Sequence, residues 1–451
     1  MFMSLNSCPC LRPRGPAGPE PQGRKPAHEH HPAPHPRIPV TLRARALHVT
    51  TAVLATGALI GAAPAPAAAP ESDAVPAIAR PTPAVTWAAS TDLVSPTALQ
   101  ERTYRLIVRT SVGGEGLRVR LSNTFGTRPV TFGRAYAGLR ATGAALVPGS
   151  NRQLTFRGSP AVTLAPGASV YSDPLRGTLR PQADLAVSLY VQQASGPATG
   201  HKMALQTSYI APSGDHAPDE AATAYTERAT SWFYLDAAVV NARRGTGAVA
   251  TLGDSITDGA SSTADTNRRW PDFLARRLAE DPRTRIKGVA NEGISGNKVL
   301  TDGSGESALK RLDRDVLSQR GLHTVFLLEG VNDIKATPAP TAAALIAGYR
   351  QIIDRAHAAG VCVVGATVMP YEGWPEWSPS GEALRQEVNA FVRESGAFDE
   401  VVDFDAAVRD PARPSRILPA YDSGDHLHPG DAGMPVMADA VDPEQLRCSR
   451  R

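Results

Sequence analysis

Cysteine is scarce in this chain, with four in 451 residues, and two of them (Cys8 and Cys10) stand in an N-terminal stretch without any structural rhythm. No Cys/His spacing suggests a zinc site. An excess of charge is also missing. The formal net charge is +3, and no basic cluster of the kind that marks a nucleic-acid footprint stands out. Long apolar runs are absent as well: the one N-terminal run, within His48–Gly61, is too short to span a bilayer as a stable helix. From Trp87 to about Ala238 no helical period persists. What remains is ordinary globular material, 42% apolar and 20% charged, in a chain long enough for two domains.

The N-terminal region reads as leader rather than fold. Residues 1–39 are rich in Pro, Arg and His and read as disordered or as a mis-called leader, with the true start near Val40. Residues 40–70 carry Arg43 and Arg45, a short apolar core and then small residues, the layout of a secretory signal peptide. A single membrane anchor is the competing reading. Arg43-Ala44-Arg45 is not a twin arginine, and no cysteine follows the apolar core, so general secretion of a protein without a lipid anchor is expected. A Pro/Ala linker is expected over 71–85. The mature protein is expected to be extracellular, with no stable membrane insertion after cleavage and no nucleic-acid partner.

Two rhythms follow. Over 86–240, runs such as "TYRLIVRTSV", "GLRVRLSN" and "DLAVSLYVQQ" alternate apolar and polar residues between Gly, Pro, Asn and Asp. That pattern predicts an antiparallel β-sandwich or jelly-roll-like accessory domain. Over 245–446, apolar strand-like runs alternate with helix-length segments: "AVATL" before Trp270–Glu280, "RIKGVAN" before Ser307–Ser318, "TVFLLEG" before Thr341–Ala359, "VCVVGATV" before Gly381–Ser395, and "EVVDF" before Ala432–Val441. Continuous Val/Ile/Leu runs suit strands buried on both faces. The alternation predicts an α/β domain with a parallel sheet, whose site lies at the carboxyl ends of the strands.

Those ends carry the chemistry. "GDSITDG" follows the first strand and places Ser255 at the sheet edge. "NEGISGN" follows the second, "EGVND" the third and "DHLHP" the last. A serine hydroxyl needs an adjacent base to become a nucleophile. His428 is the candidate base, Asp425 the acid that orients it, and Pro429 restricts His428. An attacked carbonyl needs preorganised donors: the backbone N–H groups of Ser255 and Gly296 and the side-chain amide of Asn332. Asp254 is read as shaping the turn, Asp333 as a cap or an acceptor behind the site, and His426 as a surface or wall residue. Tyr371, Trp374 and Trp377, in "MPYEGWPEW" after the fourth strand, are candidates to stack on a sugar ring or line an acyl pocket; simple loop packing is the alternative. In an oxidising compartment Cys362 and Cys448 could pair, or Cys362 could remain a buried thiol.

This set of motifs resembles the SGNH, or GDSL, hydrolase superfamily over about Ala248 to Val441. "GDSITDG", "GISGN", "GVND" and "DHLHP" match its blocks, filling the Ser, Gly, Asn and His positions with Ser255, Gly296, Asn332 and His428. The resemblance implies a five-stranded parallel sheet between helices, of flavodoxin-like type, and an ester hydrolase needing neither metal nor organic cofactor. Upstream, "GLRVRLSNTFGTRPVTFG" and "QTSYIAPSGDH" are similar to the β-rich domain of a secreted bacterial branch, some of whose members are grouped with xylan-associated esterases. The expected activity is hydrolysis of small or polymeric carboxylic esters through an acyl-enzyme, with short acyl or acetyl groups favoured. Lipase, phospholipase-type or acyltransferase chemistry on the same triad is the alternative. A carbohydrate-binding protein with a non-catalytic hydrolase half is the alternative from another class.

Overall fold

The computed structural model describes residues 81–95 and 99–448. The expected leader (1–39) and signal peptide (40–70), and most of the expected linker, lie outside the described residues.

The alternating segments form antiparallel sheets. One sheet orders Thr82–Ala88, Leu235–Ala242, Gly114–Ser122 and Leu175–Leu179 side by side; the other runs Glu227–Ala229, Ser208–Ala211, Arg102–Arg109, Asp184–Ala194, Val130–Thr142 and Ala145–Leu146. Along Gly114–Ser122, Leu117, Val119 and Leu121 are buried and the arginines between them are not fully so, the period of two that the sequence shows. These three pack with Leu106, Phe132, Val187 and Leu189 of the second sheet into one apolar cluster, so the two sheets form a sandwich. A third, small sheet joins Asp92–Ser95, Ala198–His201 and Trp232–Phe233.

The downstream half is a five-stranded parallel sheet. Its strands are β1 (Gly247–Gly253), β2 (Ile286–Gly293), β3 (Leu322–Leu328), β4 (Cys362–Ala366) and β5 (Glu400–Val402), in the spatial order β2-β1-β3-β4-β5. That is the flavodoxin-like doubly wound order, whose chain reversal lies between β1 and β3. Every residue of β1 and of β4 is buried, as sheet strands covered by helices on both faces require. The main helices are α1 (Ser255–Asp258), α2 (Trp270–Glu280), α3 (Ala342–Ala358), α4 (Pro379–Glu394) and α5 (Gly433–Asp439). Trp270, Phe326 and Phe404 stack in one aromatic cluster that ties α2 to the sheet. The expected helix at Ser307–Ser318 is present as a short α-turn, Ala308–Arg311, continued by a wider π-turn through Leu317. Among the described residues no helix is long and apolar enough to cross a membrane.

One expected boundary moves. Composition places the end of the linker at residue 85, whereas a strand begins at Thr82. Pro83 is tolerated there because this strand is the outer one of its sheet, where a missing N–H costs no ladder bond. The expected domains at 86–240 and 245–446 pack together in one compact unit. Val85, Ala88 and Ala237 of the sandwich belong to the core of the α/β half. Val85 N–H donates to the Arg320 carbonyl at 2.8 Å, and Val289 N–H to Ser111 Oγ at 2.9 Å. A Cβ at Gly288 would lie 2.4 Å from the Val85 carbonyl oxygen, so the two halves touch backbone to backbone at β2.

Cys362 and Cys448 are joined in a disulfide, with a sequence separation of 86 residues. The bond ties the C-terminal segment to the start of β4. Among the described residues they form, with Asp399, a cluster within metal-ligating range, but the disulfide uses both thiols.

Candidate active site

β1 ends at Gly253, and Asp254 caps the single turn α1 by accepting the Ile256 N–H at 2.9 Å. The turn presents Ser255 at the carboxyl edge of the sheet. Ser255 Oγ lies 2.8 Å from His428 Nε2. His428 Nδ1 lies 2.6 Å from Asp425 Oδ2. A carboxylate only accepts, so Nδ1 carries the proton and the neutral ring presents Nε2 as an acceptor to the Ser255 hydroxyl. The other carboxylate oxygen of Asp425 accepts the N–H groups of Leu427 and His428 at 2.9 and 2.8 Å. Burial pushes the Asp425 carboxyl upward, but the His428 backbone and ring and the Leu427 N–H outweigh it, leaving its pKa below the usual value. The loop itself is pinned by Ser423 N–H to the His428 carbonyl and Gly430 N–H to the Tyr421 carbonyl. Asp254 is buried, and desolvation raises its pKa to about 7 against the opposing Ile256 N–H.

The three expected donors stand on the segments that follow β1, β2 and β3 at the carboxyl edge of the sheet, with Ser255 on the first. Its own N–H stands at the first position of a helical turn, where no intrahelical acceptor exists. Gly296 has φ +80°, the left-handed region that glycine enters freely. A Cβ there would also sit 2.6 Å from Ser304 Oγ. Asn332 Nδ2 donates to the Asn297 carbonyl at 2.9 Å, which draws its amide against the Gly296–Asn297 loop and leaves its second hydrogen for a ligand. Asp333 accepts the Val299 and Leu300 N–H groups at 2.8 and 3.1 Å, so it holds that same loop from behind.

The aromatic candidates divide. Trp374 meets His428 edge to face, with ring centroids 5.9 Å apart, and Lys335 Nζ sits 4.6 Å from the centre of the Trp374 ring. Trp377 is half-buried in the same loop. Tyr371 departs from expectation: it is 0% exposed and cannot stack on a ligand. Its side chain is wedged under the start of α4, where a Cβ on Gly381 would lie 2.5 Å from its hydroxyl. His426 is exposed and pairs with Asp422 at 2.6 Å rather than with Ser255.

Arg311 is a support that sequence reading missed. It is fully buried and donates to Asn297 Oδ1 at 3.0 Å, to the Ser90 hydroxyl and the Glu292 carbonyl at 2.7 Å, and to the Gly253 carbonyl at 3.1 Å. It thus clamps the ends of β1 and β2 from below. In "ALKRLDRD" it is one charge among several on what reads as a solvent-facing turn, and nothing local marks it as the buried one.

Residues 251–435 match the GDSL-like Lipase/Acylhydrolase family. These residues are a GDSL-like lipase/acylhydrolase domain. It contains every residue of the Ser255–His428–Asp425 chain and all three donors. No curated protein matches the chain. Among solved structures, the GDSL domain is similar to a carbohydrate acetylesterase from Sinorhizobium meliloti, at 17% identity and TM-score 0.36 over 43% of this chain and 95% of that one. It is also similar to the M. smegmatis aryl esterase, at 19% identity and TM-score 0.36 over 45% and 98%. A GDSL-like lipase from Bacteroides thetaiotaomicron shows 20% identity and TM-score 0.34 over 43% and 85%. Each likeness spans less than half of the present chain.

Proposed function

We propose that the protein is a secreted serine esterase that cleaves carboxylic esters through an acyl-enzyme. The observation that carries this reading is the continuous hydrogen-bonded chain from Ser255 Oγ to His428 to Asp425, at 2.8 and 2.6 Å. In the reaction, Ser255 Oγ adds to the ester carbonyl while His428 Nε2 takes its proton. The carbonyl oxygen becomes an oxyanion facing the N–H groups of Ser255 and Gly296 and the Asn332 amide. His428 then protonates the departing alcohol. A water, deprotonated in turn by His428, releases the acid and restores Ser255.

Short acyl groups, acetyl among them, carried on a polar alcohol such as a saccharide are the substrate class we favour. Support comes from the surroundings of Trp374. A cleft beside it carries the polar side chains of Lys335, Thr337, Glu376, Ser378 and Ser380 next to an apolar side of Ile334, Leu384 and residues 338–340. The polar side offers partners for the hydroxyl groups of such an alcohol. Secretion rests on the arginine-led apolar stretch at 40–70 and on a disulfide, which persists in oxidising compartments.

The test is hydrolysis of p-nitrophenyl esters from acetyl to long acyl by the protein and by Ser255→Ala. Activity that falls with acyl length, and is lost by orders of magnitude in the variant, is the expected result. Equal rates in both proteins would overturn the assignment of Ser255. A maximum at long acyl chains would replace the short-chain reading with a lipase.

A further inference from the structure

The Ser295–Gly296 loop of the GDSL domain is held by Asp258, and Asp258 in turn is held by a residue from the β-rich half. Asp258, in the last position of α1, directs one carboxylate oxygen at Ser295, accepting both its N–H at 3.0 Å and its hydroxyl at 2.7 Å. Ser295 immediately precedes Gly296, and the Gly296 N–H belongs to the peptide unit that joins the two. The two bonds to one oxygen hold the Ile294–Ser295 peptide and the Ser295 side chain, and so anchor the residue from which the Gly296 N–H is directed. Gly293 makes the approach feasible: a Cβ there would lie 2.3 Å from the Asp258 backbone nitrogen.

The second oxygen of Asp258 is 2.9 Å from Nε2 of His201. His201 ends the strand Ala198–His201, in the small sheet of the β-rich half, and both it and Asp258 are buried, at 4% and 3% exposure. Its other ring nitrogen is 2.8 Å from the Ser90 carbonyl, and Nε2 also faces the Met203 carbonyl at 3.1 Å. Carbonyls only accept, so Nδ1 carries a hydrogen, and the Asp258 carboxylate and Met203 carbonyl call for one on Nε2. The ring is therefore an imidazolium, paired with the Asp258 carboxylate. The same segment touches the loop again, since Ser295 Oγ lies 3.2 Å from the Met203 sulfur. Trp232 lies along the His201 ring with centroids 5.4 Å apart, and Arg269 covers the Trp232 ring. The imidazole is thereby held in place from the β-rich side.

We propose that His201 is a positioning residue for ester hydrolysis: it fixes Asp258, and Asp258 fixes Ser295 and with it the Gly296 N–H aimed at the oxyanion. The β-rich half thus completes the catalytic site, whatever else it binds. This inference rests on the esterase reading for its kinetic consequence but not for its structural one.

Two measurements test it together. The first compares kcat and KM for p-nitrophenyl acetate in the full-length protein, His201→Ala and His201→Gln. The alanine variant is expected to lose roughly ten- to a hundred-fold in kcat with KM little changed, the cost of a misplaced oxyanion donor. The glutamine variant, whose amide can still donate to Asp258, is expected to recover part of that loss. Wild-type kcat in a folded His201→Ala protein would overturn the proposal. The second measures amide hydrogen exchange over residues 294–298, expected to quicken in His201→Ala. Unchanged exchange would overturn the proposal even if the wild type hydrolyses no ester, an outcome that would separately remove the esterase reading. If His201→Ala does not fold, Ser295→Ala replaces it. That variant tests the last link alone, so the His201 link is then tested with His201→Phe, which keeps a ring but no donor to Asp258. A ten-fold or greater fall in kcat with faster exchange over 294–298 supports the proposal, and wild-type values of both refute it.

Discussion

Replacing Asp425 by asparagine tests the proposed triad at its least obvious member. In the structure, one oxygen of Asp425 accepts two backbone N–H groups and the other accepts His428 Nδ1–H. An asparagine keeps the first oxygen as a carbonyl, so the loop retains both backbone bonds and the protein should fold. The amide nitrogen then faces Nδ1 as a donor. To avoid two opposed hydrogens, His428 shifts its proton to Nε2. That nitrogen is the one 2.8 Å from Ser255 Oγ, and once protonated it cannot take the serine proton. The loss is therefore one of correct tautomer rather than of geometry, and such a change lowers kcat by about 10⁴ in a serine triad. At 1.36 kcal/mol per factor of ten, this corresponds to about 5.4 kcal/mol of lost transition-state stabilisation. The assay is the steady-state rate with p-nitrophenyl acetate, with the thermal midpoint measured alongside. A folded Asp425→Asn protein within ten-fold of wild-type kcat would refute the reasoning, because it would mean that His428 does not depend on this carboxylate.

Three further outcomes are expected. Asn332→Ala should lower kcat by about 10²–10³ with a smaller effect on KM, as removal of an oxyanion donor does; steady-state kinetics would show it, and a rise in KM alone would contradict the role. Asp254, with a folded pKa raised to about 7 from 3.8, binds a proton in the native state that the unfolded chain has already released. Its contribution is fully present below pH 3.8 and is lost as pH rises toward 7, so Asp254→Asn should raise the melting midpoint at pH 8 and leave it nearly unchanged at pH 3.5; equal shifts at both pH values would disprove the linkage. Removing the disulfide by Cys362→Ser with Cys448→Ser opens a loop of 86 residues, and the chain-entropy relation puts the cost at about 4–5 kcal/mol, visible as a lower denaturant midpoint.

Much of the site was legible in the sequence because of how parallel α/β sheets are built. Every β-strand in such a sheet points the same way, so every loop after a strand emerges on one edge. Reading the strands by their apolar runs therefore brought "GDS", "GISGN", "GVND" and "DHLHP" together without coordinates. The Asp-x-x-His spacing alone fits a capped turn with a surface histidine equally well. It pointed to a base and its partner only in company with the other three loops, since a turn of that length lets the carboxylate reach back to the ring. Alternation over 86–240 was enough for an antiparallel sandwich, because a period of two admits little else.

Other features were settled only when distant elements met. Tyr371 and Trp374 stand three residues apart in one loop, yet one is sealed beneath α4 and the other faces His428; loop residues have no period from which a side could be read. Arg311 looks like its charged neighbours in "ALKRLDRD" and is buried because four acceptors from separate segments surround its guanidinium. Whether Cys362 pairs depended on where residue 448 came to rest. The contact of His201 with Asp258 spans 57 residues and crosses from the sandwich to the α/β half. Local sequence determined the strands, their common direction and the chemical identity of the candidate catalytic groups, because these follow from short-range periodicity and motif. Which side chain supports which loop was decided by tertiary packing alone, since it depends on the meeting of surfaces that no local pattern encodes.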